Sequence, residues 1–145
     1  MSDPSGLAER RRYAIWAREI CRYADTDRQG HVNNAVFATF CESGRVRFLH
    51  AEDGLRPKNC EFVIVRLVLD FRAELRWRDE VDIGTAVLRV GDKSFTLGQG
   101  LFRAEQCVAT SENTLVLMDE ATRRAIVLPE PLRARLHALA RGEGQ

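Results

Sequence analysis

Between Arg22 and Asn34 the chain sets two carboxylates, an imidazole and two helix-capping amides within thirteen residues, Arg22-Tyr23-Ala24-Asp25-Thr26-Asp27-Arg28-Gln29-Gly30-His31-Val32-Asn33-Asn34. The carboxylate of Asp27 has a reference pKa of ~3.9 and is charged at neutral pH unless strongly buried. His31, four residues on, can donate to or accept from a carbonyl or a water. The first N–H groups of a helix starting at Asn33 or Asn34 would lack intrahelical acceptors and carry partial positive charge. Together these parts suit attack on a carbonyl or thioester carbon whose oxygen gains charge beside the amides. Plainer roles fit each residue too: Asp or Asn as a cap, His as a structural hydrogen-bonder. Asp25-x-Asp27 lacks a full set of oxygen ligands, so no metal is expected.

The elements that must position this loop follow from periodicity. A strand over residues 13–23 leads into it, and Asn33 or Asn34 caps a helix running to residue 50. Within that helix Phe37, Phe40, Cys41, Gly44 and Phe48 recur at three- and four-residue spacing, one apolar stripe. A loop with Gly54 and Pro57 precedes a strand in which Val63, Val65, Leu67, Leu69 and Phe71 share one face and Phe62, Ile64 and Val68 the other. Strands over 80–90 and 94–103 flank a Gly91-Asp92 turn, a hairpin. A fourth strand covers 106–118, and Leu132, Leu136 and Leu139 mark a short closing helix over 131–141. One long helix with several antiparallel strands is an α+β layout. Strands apolar on both faces predict association through the sheet or its edge.

Composition narrows the class. The 145 residues are 45% apolar and 30% charged, which fits one folded domain with a real core. The expected division is a mobile lead-in over 1–12, one domain over 13–141 and a tail over 142–145. With 22 basic against 21 acidic side chains, no electrostatic surplus supports nucleic-acid binding. No apolar run reaches the ~20 residues of a membrane span, and the first residues show no apolar signal core, so the expected location is cytoplasmic. Cys21, Cys41, Cys60 and Cys107 have no CxxC pairing and read as buried thiols.

The run Arg22-Tyr23-x-Asp25-Thr26-Asp27-x-x-Gly30-His31-Val32-Asn33-Asn34-x-x-Phe37, with Glu42 and Arg45 beyond it, resembles the opening of the 4-hydroxybenzoyl-CoA thioesterase-like family. The likeness continues through Val68-x-Asp70-Phe71, Trp77-x-Asp79-Glu80-Val81, Gly91-x-x-Ser94-Phe95 and Leu115-Val116-Leu117-Met118-Asp119 to Leu128-Pro129, about residues 13–136. It implies a hotdog fold, an antiparallel sheet wrapped around one long helix, that pairs into a homodimer or homotetramer with the active site between subunits. It also implies hydrolysis of an acyl-CoA substrate without a cofactor.

By the same resemblance Asp27 is the catalytic carboxylate, nucleophile or general base. His31 matches the family's histidine. The acyl-ACP enzymes carry an Asn where this chain has Gln29, a departure that leaves the longer amide to orient water. The oxyanion donor lands at the N–H near Asn34. Glu42 matches a helix glutamate, read as structural and bonded to Arg45. Arg89, Lys93 and Ser94 flank the hairpin turn where the family receives the CoA arm, with Arg72, Arg103 and Arg123 as other phosphate partners. Phe37 is a candidate for the acyl pocket. Rival readings are an acyl-ACP thioesterase and a non-catalytic acyl-CoA-binding hotdog protein; related hydratases also use Asp and His, within a different motif.

Overall fold

The computed structural model describes residues 5–50 and 55–142. Five strands form one antiparallel sheet in the order β1-β3-β4-β5-β2: β1 (Ile15–Ile20), β2 (Cys60–Phe71), β3 (Glu80–Val90), β4 (Ser94–Arg103) and β5 (Gln106–Asp119). Helix α1 (Asn34–Leu49) lies across one face, and α2 (Glu130–Ala140) packs at its far end. This is the α+β hotdog arrangement that the resemblance implies.

The expected stripe is the buried face of α1: Phe37, Phe40, Cys41, Gly44 and Phe48 are all buried. Gly44 sets how closely helix and sheet approach. A Cβ there would lie 2.5 Å from Ile83 Cγ2 and 2.7 Å from Gln99 Nε2. Two apolar clusters occupy the interface, one around Phe48, Leu97 and Leu115 and one around Phe37, Leu101 and Val108. A polar layer separates them. Gln99 Nε2 donates to Cys41 O (2.9 Å) and Thr85 Oγ1 (3.0 Å); its Oε1 accepts from Ser111 Oγ (3.0 Å) and Asn113 Nδ2 (2.9 Å). Arg45 Nη1 donates to Asn113 Oδ1 (2.7 Å). The expected Glu42–Arg45 bond is therefore corrected: Arg45 turns inward to an amide while Glu42 stays exposed.

Three further expectations are corrected. Residues 5–12, read as a mobile lead-in, fold onto the outer sheet face. Leu7 is 3% exposed and accepts at its carbonyl from Tyr13 Oη (2.6 Å), and Arg10 lies over the Trp16 ring while bonding Asp82 (3.2 Å). Tyr13, expected to open the first strand, belongs to this cover. The outer apolar residues of β3 and β4 are thus covered by the chain itself. The alternation expected along β2 breaks at a bulge between Ile64 and Arg66. One extra residue there shifts the pairing, and Val65 is 58% exposed.

The hairpin at Gly91 and the three long strands stand where expected, with β5 one residue longer. The stretch after β5 bridges from Met118 to Ala125 and buries Leu128, and Leu132 and Leu136 of α2 then enter the same core cluster. Cys21, Cys41 and Cys60 are buried thiols and Cys107 is half-buried. Gly54 lies outside the described residues. No helix among the described residues is long and apolar enough to cross a membrane.

The approach at Gly44 gives a stability test. Gly44→Val gains several tenths of a kcal/mol of helix propensity, but overpacking against Ile83 costs ~1–3 kcal/mol or more. Urea unfolding is expected to show a net loss of at least about 0.5 kcal/mol; unchanged stability would mean the helix does not approach this closely.

Candidate active site

The motif loop closes on itself. Asp27 N–H donates to His31 O (2.8 Å) and Gly30 N–H to Asp27 O (3.1 Å), with Gly30 at φ +81°, a region glycine enters freely. Asp27 Oδ1 accepts the N–H groups of Gln29 (2.9 Å) and His31 (3.2 Å). This Asx-type turn fixes the carboxylate and leaves Oδ2 without a partner among the described residues.

The two aspartates, indistinguishable by type, divide their work. Asp25 is 4% exposed. Its oxygens accept from the Arg22 N–H (2.8 Å) and Arg22 Nη2 (2.8 Å), and its carbonyl accepts from the Asn33 N–H (2.8 Å). Arg22 holds the Asp25 carboxyl below the usual carboxylate range. Asp25 is therefore a strut beneath the loop, whereas Asp27 is exposed at its tip.

Helix α1 begins beside it. Asn33 is the cap: its Oδ1 accepts the Ala35 N–H (2.9 Å), and its carbonyl takes that of Val36 (2.9 Å). The N–H of Asn34, the first helical residue, has no protein acceptor among the described residues. It is a donor at the positive end of a four-turn helix.

Facing the loop is the segment after β2. The Val32 N–H bonds Leu75 O (2.8 Å) and His31 bridges to Arg76, which draws residues 72–76 alongside the motif. His31 Nε2 lies 3.1 Å from Glu74 Oε2 and 3.4 Å from Arg76 Nη2. Phe37 and Phe71 meet edge to face at 5.1 Å. Between the walls is an open cavity of about 460 Å³ lined by Asp27, Gln29, His31, Asn34 and Phe37 on one side and by Phe71, Arg72, Ala73 and Glu74 on the other.

Five residues expected at the site thus share one cavity. Arg89, Lys93 and Ser94 do not join them within this chain. Phe71 pairs with Ala109 and that with Leu101, while Ser94 lies seven residues from Leu101 along β4, about 23 Å away. Arg89 pairs with Glu112 (3.4 Å). Of the other basic candidates Arg72 lines the cavity, Arg103 bonds Asp79 (3.2 Å) and Arg123 pairs with Glu61. Glu74 and Arg76 were missed. Their contact with His31 depends on a bridge between segments 45 residues apart, which no local spacing announces.

The division between the aspartates predicts opposite responses to amidation. Asp25→Asn removes the charge on a buried, hydrogen-bonded carboxylate and is expected to cost ~1–3 kcal/mol. The folded-state pKa of Asp25 is depressed, so its contribution is complete above about pH 4 and is lost as pH falls through the lower folded value. Acid unfolding curves should therefore converge for wild type and Asp25→Asn below pH 4; a constant gap down to pH 2 would contradict this.

Known proteins resemble this chain in sequence and in overall fold. The long-chain acyl-CoA thioesterase FadM of Escherichia coli K12 is 29% identical over 116 residues, 77% of this chain and 88% of that protein. The acyl-CoA thioester hydrolase YbgC of Escherichia coli O6:H1 is 25% identical over 115 residues, 76% and 86% of the two. The structure of a thioesterase from Thermus thermophilus complexed with coenzyme A and Zn superposes with a TM-score of 0.78 at 30% identity, covering 91% of this chain and 98% of that one. The sequence profile of the thioesterase-like superfamily matches residues 21–136, from the strut beneath the motif loop to the end helix, and the chain belongs to that superfamily.

Proposed function

We propose that this protein hydrolyses acyl-CoA thioesters to the free acid and CoA, with Asp27 as nucleophile or general base. The observation that carries this is the free Oδ2 of Asp27 in the same cavity as the open N–H of Asn34. A thioester there would present its carbonyl oxygen to the helix terminus and its carbon to the carboxylate. Charge developing on the oxygen is then met by a donor already oriented. As nucleophile, Asp27 displaces the CoA thiolate to give a mixed anhydride that water opens; as base, it takes a proton from the attacking water. His31 and Gln29 border the cavity where that water must stand. Phe37 and Phe71 offer an apolar wall to the acyl group.

A homodimer gives Arg89, Lys93 and Ser94 a role. The edge of β2 is unpaired and carries exposed Val65, Leu67 and Phe71. Two such edges pairing antiparallel about a twofold axis would bring the Cys60 end of one β2 toward the Phe71 end of the other. The hairpin turn of one copy then faces the cavity of its partner, where these residues could receive the pantetheine arm and phosphates. Dimers then pair into a homotetramer through the outer face of β2 and β5, where Val63, Val68, Val116 and Met118 stand among charged side chains. Among the described residues no disulfide joins the four cysteines, which suits the reducing cytoplasm.

Two variants test the chemistry. Asp27→Asn is expected to lower kcat at least ~10²-fold with an unchanged Tm, read by release of thiol from a panel of short, long and aromatic acyl-CoAs. Near-wild-type turnover would remove Asp27 from the mechanism. Asn34→Pro deletes the free N–H at a position where proline is well tolerated and is expected to lower kcat by ~10²–10³ while circular dichroism keeps the helix signal. Unaltered kcat would place the oxyanion elsewhere. Tight acyl-CoA binding without thiol release would favour a binding protein, and turnover confined to carrier-protein thioesters the acyl-ACP reading.

A further inference from the structure

We propose that Arg76 is a positioning residue: it holds His31 as the neutral ring with its hydrogen on Nδ1, and the imidazole then serves as a second donor to the thioester oxygen, beside the Asn34 N–H. This rests on the hydrolytic reading above and gives the ring its part in it. Arg76 Nη2 lies 3.4 Å from His31 Nε2 in hydrogen-bonding geometry. A guanidinium donates and never accepts, so the nitrogen it reaches must offer a lone pair. In a neutral imidazole the other nitrogen then carries the hydrogen. Glu74 Oε2 lies 3.1 Å from Nε2 without hydrogen-bonding geometry and 3.7 Å from Arg76 Nη2, where it supplies the counter-charge of the guanidinium.

The backbone brings the two side chains together. His31 and Arg76 pair in an isolated bridge, and the Val32 N–H bonds Leu75 O (2.8 Å). Arg76 is pinned at both its backbone groups: its N–H donates to Asp79 Oδ2 (2.8 Å) and its carbonyl accepts from the Asp79 N–H (3.1 Å). Arg103 Nη1 holds that same carboxylate oxygen (3.2 Å). On the other side the His31 N–H donates to Asp27 Oδ1 (3.2 Å). His31 Nδ1 has no partner among the described residues. No buried side-chain nitrogen or oxygen among them lacks one, so Nδ1 is open rather than enclosed, and the ring lines the cavity with Asp27 and Asn34.

Attack on a thioester moves charge onto the carbonyl oxygen, where each preorganised donor stabilises it further. The Asn34 N–H is one such donor. A neutral Nδ1–H polarises the same oxygen without giving up its hydrogen. No proton transfer therefore passes through the ring. The proton of the attacking water goes to Asp27 or, in the anhydride route, to the departed CoA thiolate, and the C–S bond breaks in both. Arg76 and Glu74 are each 61% exposed. Such a pair contributes little to folding, so Arg76 can be replaced without disturbing the scaffold.

The test combines kinetics with a readout independent of turnover. Arg76→Met is expected to lower kcat about 10-fold with KM within about 2-fold and Tm unchanged. Arg76→Lys, which also only donates, should restore most of the rate. His31→Ala is expected to lower kcat ~10²-fold, and adding Arg76→Met to it should cause no further loss, because Arg76 acts only through the ring. Long-range ¹H–¹⁵N spectra of the neutral ring, assigned by loss of the signal in His31→Ala, should show the hydrogen on Nδ1 in the wild type and a shift toward Nε2 in Arg76→Met. Hydrogen on Nε2 in the wild type, fully multiplicative losses in the double variant, or a loss confined to KM would each overturn the proposal while leaving hydrolysis intact. Absence of thiol release by the wild type would overturn the hydrolytic reading and the donor role together, and the spectra, which need no substrate, would still decide whether Arg76 sets the tautomer.

Discussion

A helix cannot satisfy its own first N–H groups, and the disposal of those groups at Asn33, Asn34, Ala35 and Val36 organises the site. Asn33 caps Ala35 with its side chain and Val36 with its carbonyl, while its own N–H is held by the buried strut at Asp25. Of these four, only the Asn34 N–H has no acceptor among the described residues, and it lies at the cavity. The motif loop is therefore two devices in series: a buried Asp25 carboxylate, held by Arg22, that anchors the chain, and an exposed Asp27 turn carried at a fixed distance from the helix mouth. The turn holds the carboxylate within the loop, and the anchor holds the loop against the helix.

Rigid support comes from below. Gly44 brings α1 against β3 and β4, and Gln99 reaches up to the helix backbone at Cys41. A buried polar layer is costly unless every member is satisfied; here no buried side-chain polar atom among the described residues lacks a partner. The same bonds fix helix register, because a shift of α1 would strand Gln99, Asn113 and Arg45 in an apolar interface. On the opposite face the segment from Leu7 to Tyr13 covers the sheet, so helix and cover hold it from both sides.

Much of this was legible in residue order because it rests on local rules. The stripe from Phe37 to Phe48, the Asn33 cap, the turn at Gly91 and the three long strands all follow from periodicity and turn chemistry. The five residues grouped at the cavity by the family resemblance lie within eleven positions, from Asp27 to Phe37, so one turn and one helix start bring them together. What escaped was non-local. Glu74 and Arg76 reach His31 through an isolated bridge, Arg45 chose Asn113 across 68 residues over Glu42 three residues away, and Leu7 packs over β4. The bulge at Val65 broke a regular alternation that sequence alone presents as continuous.

The central claim, that the thioester carbonyl rests on the mouth of α1 with its carbon beside Asp27, is tested most directly by a crystal structure with a non-cleavable acyl-CoA analogue in which a methylene replaces the sulfur. The account predicts the ketone oxygen within about 3 Å of the Asn34 nitrogen and the carbonyl carbon in line with Asp27 Oδ2. An analogue bound with its carbonyl out of reach of Asp27 would contradict it.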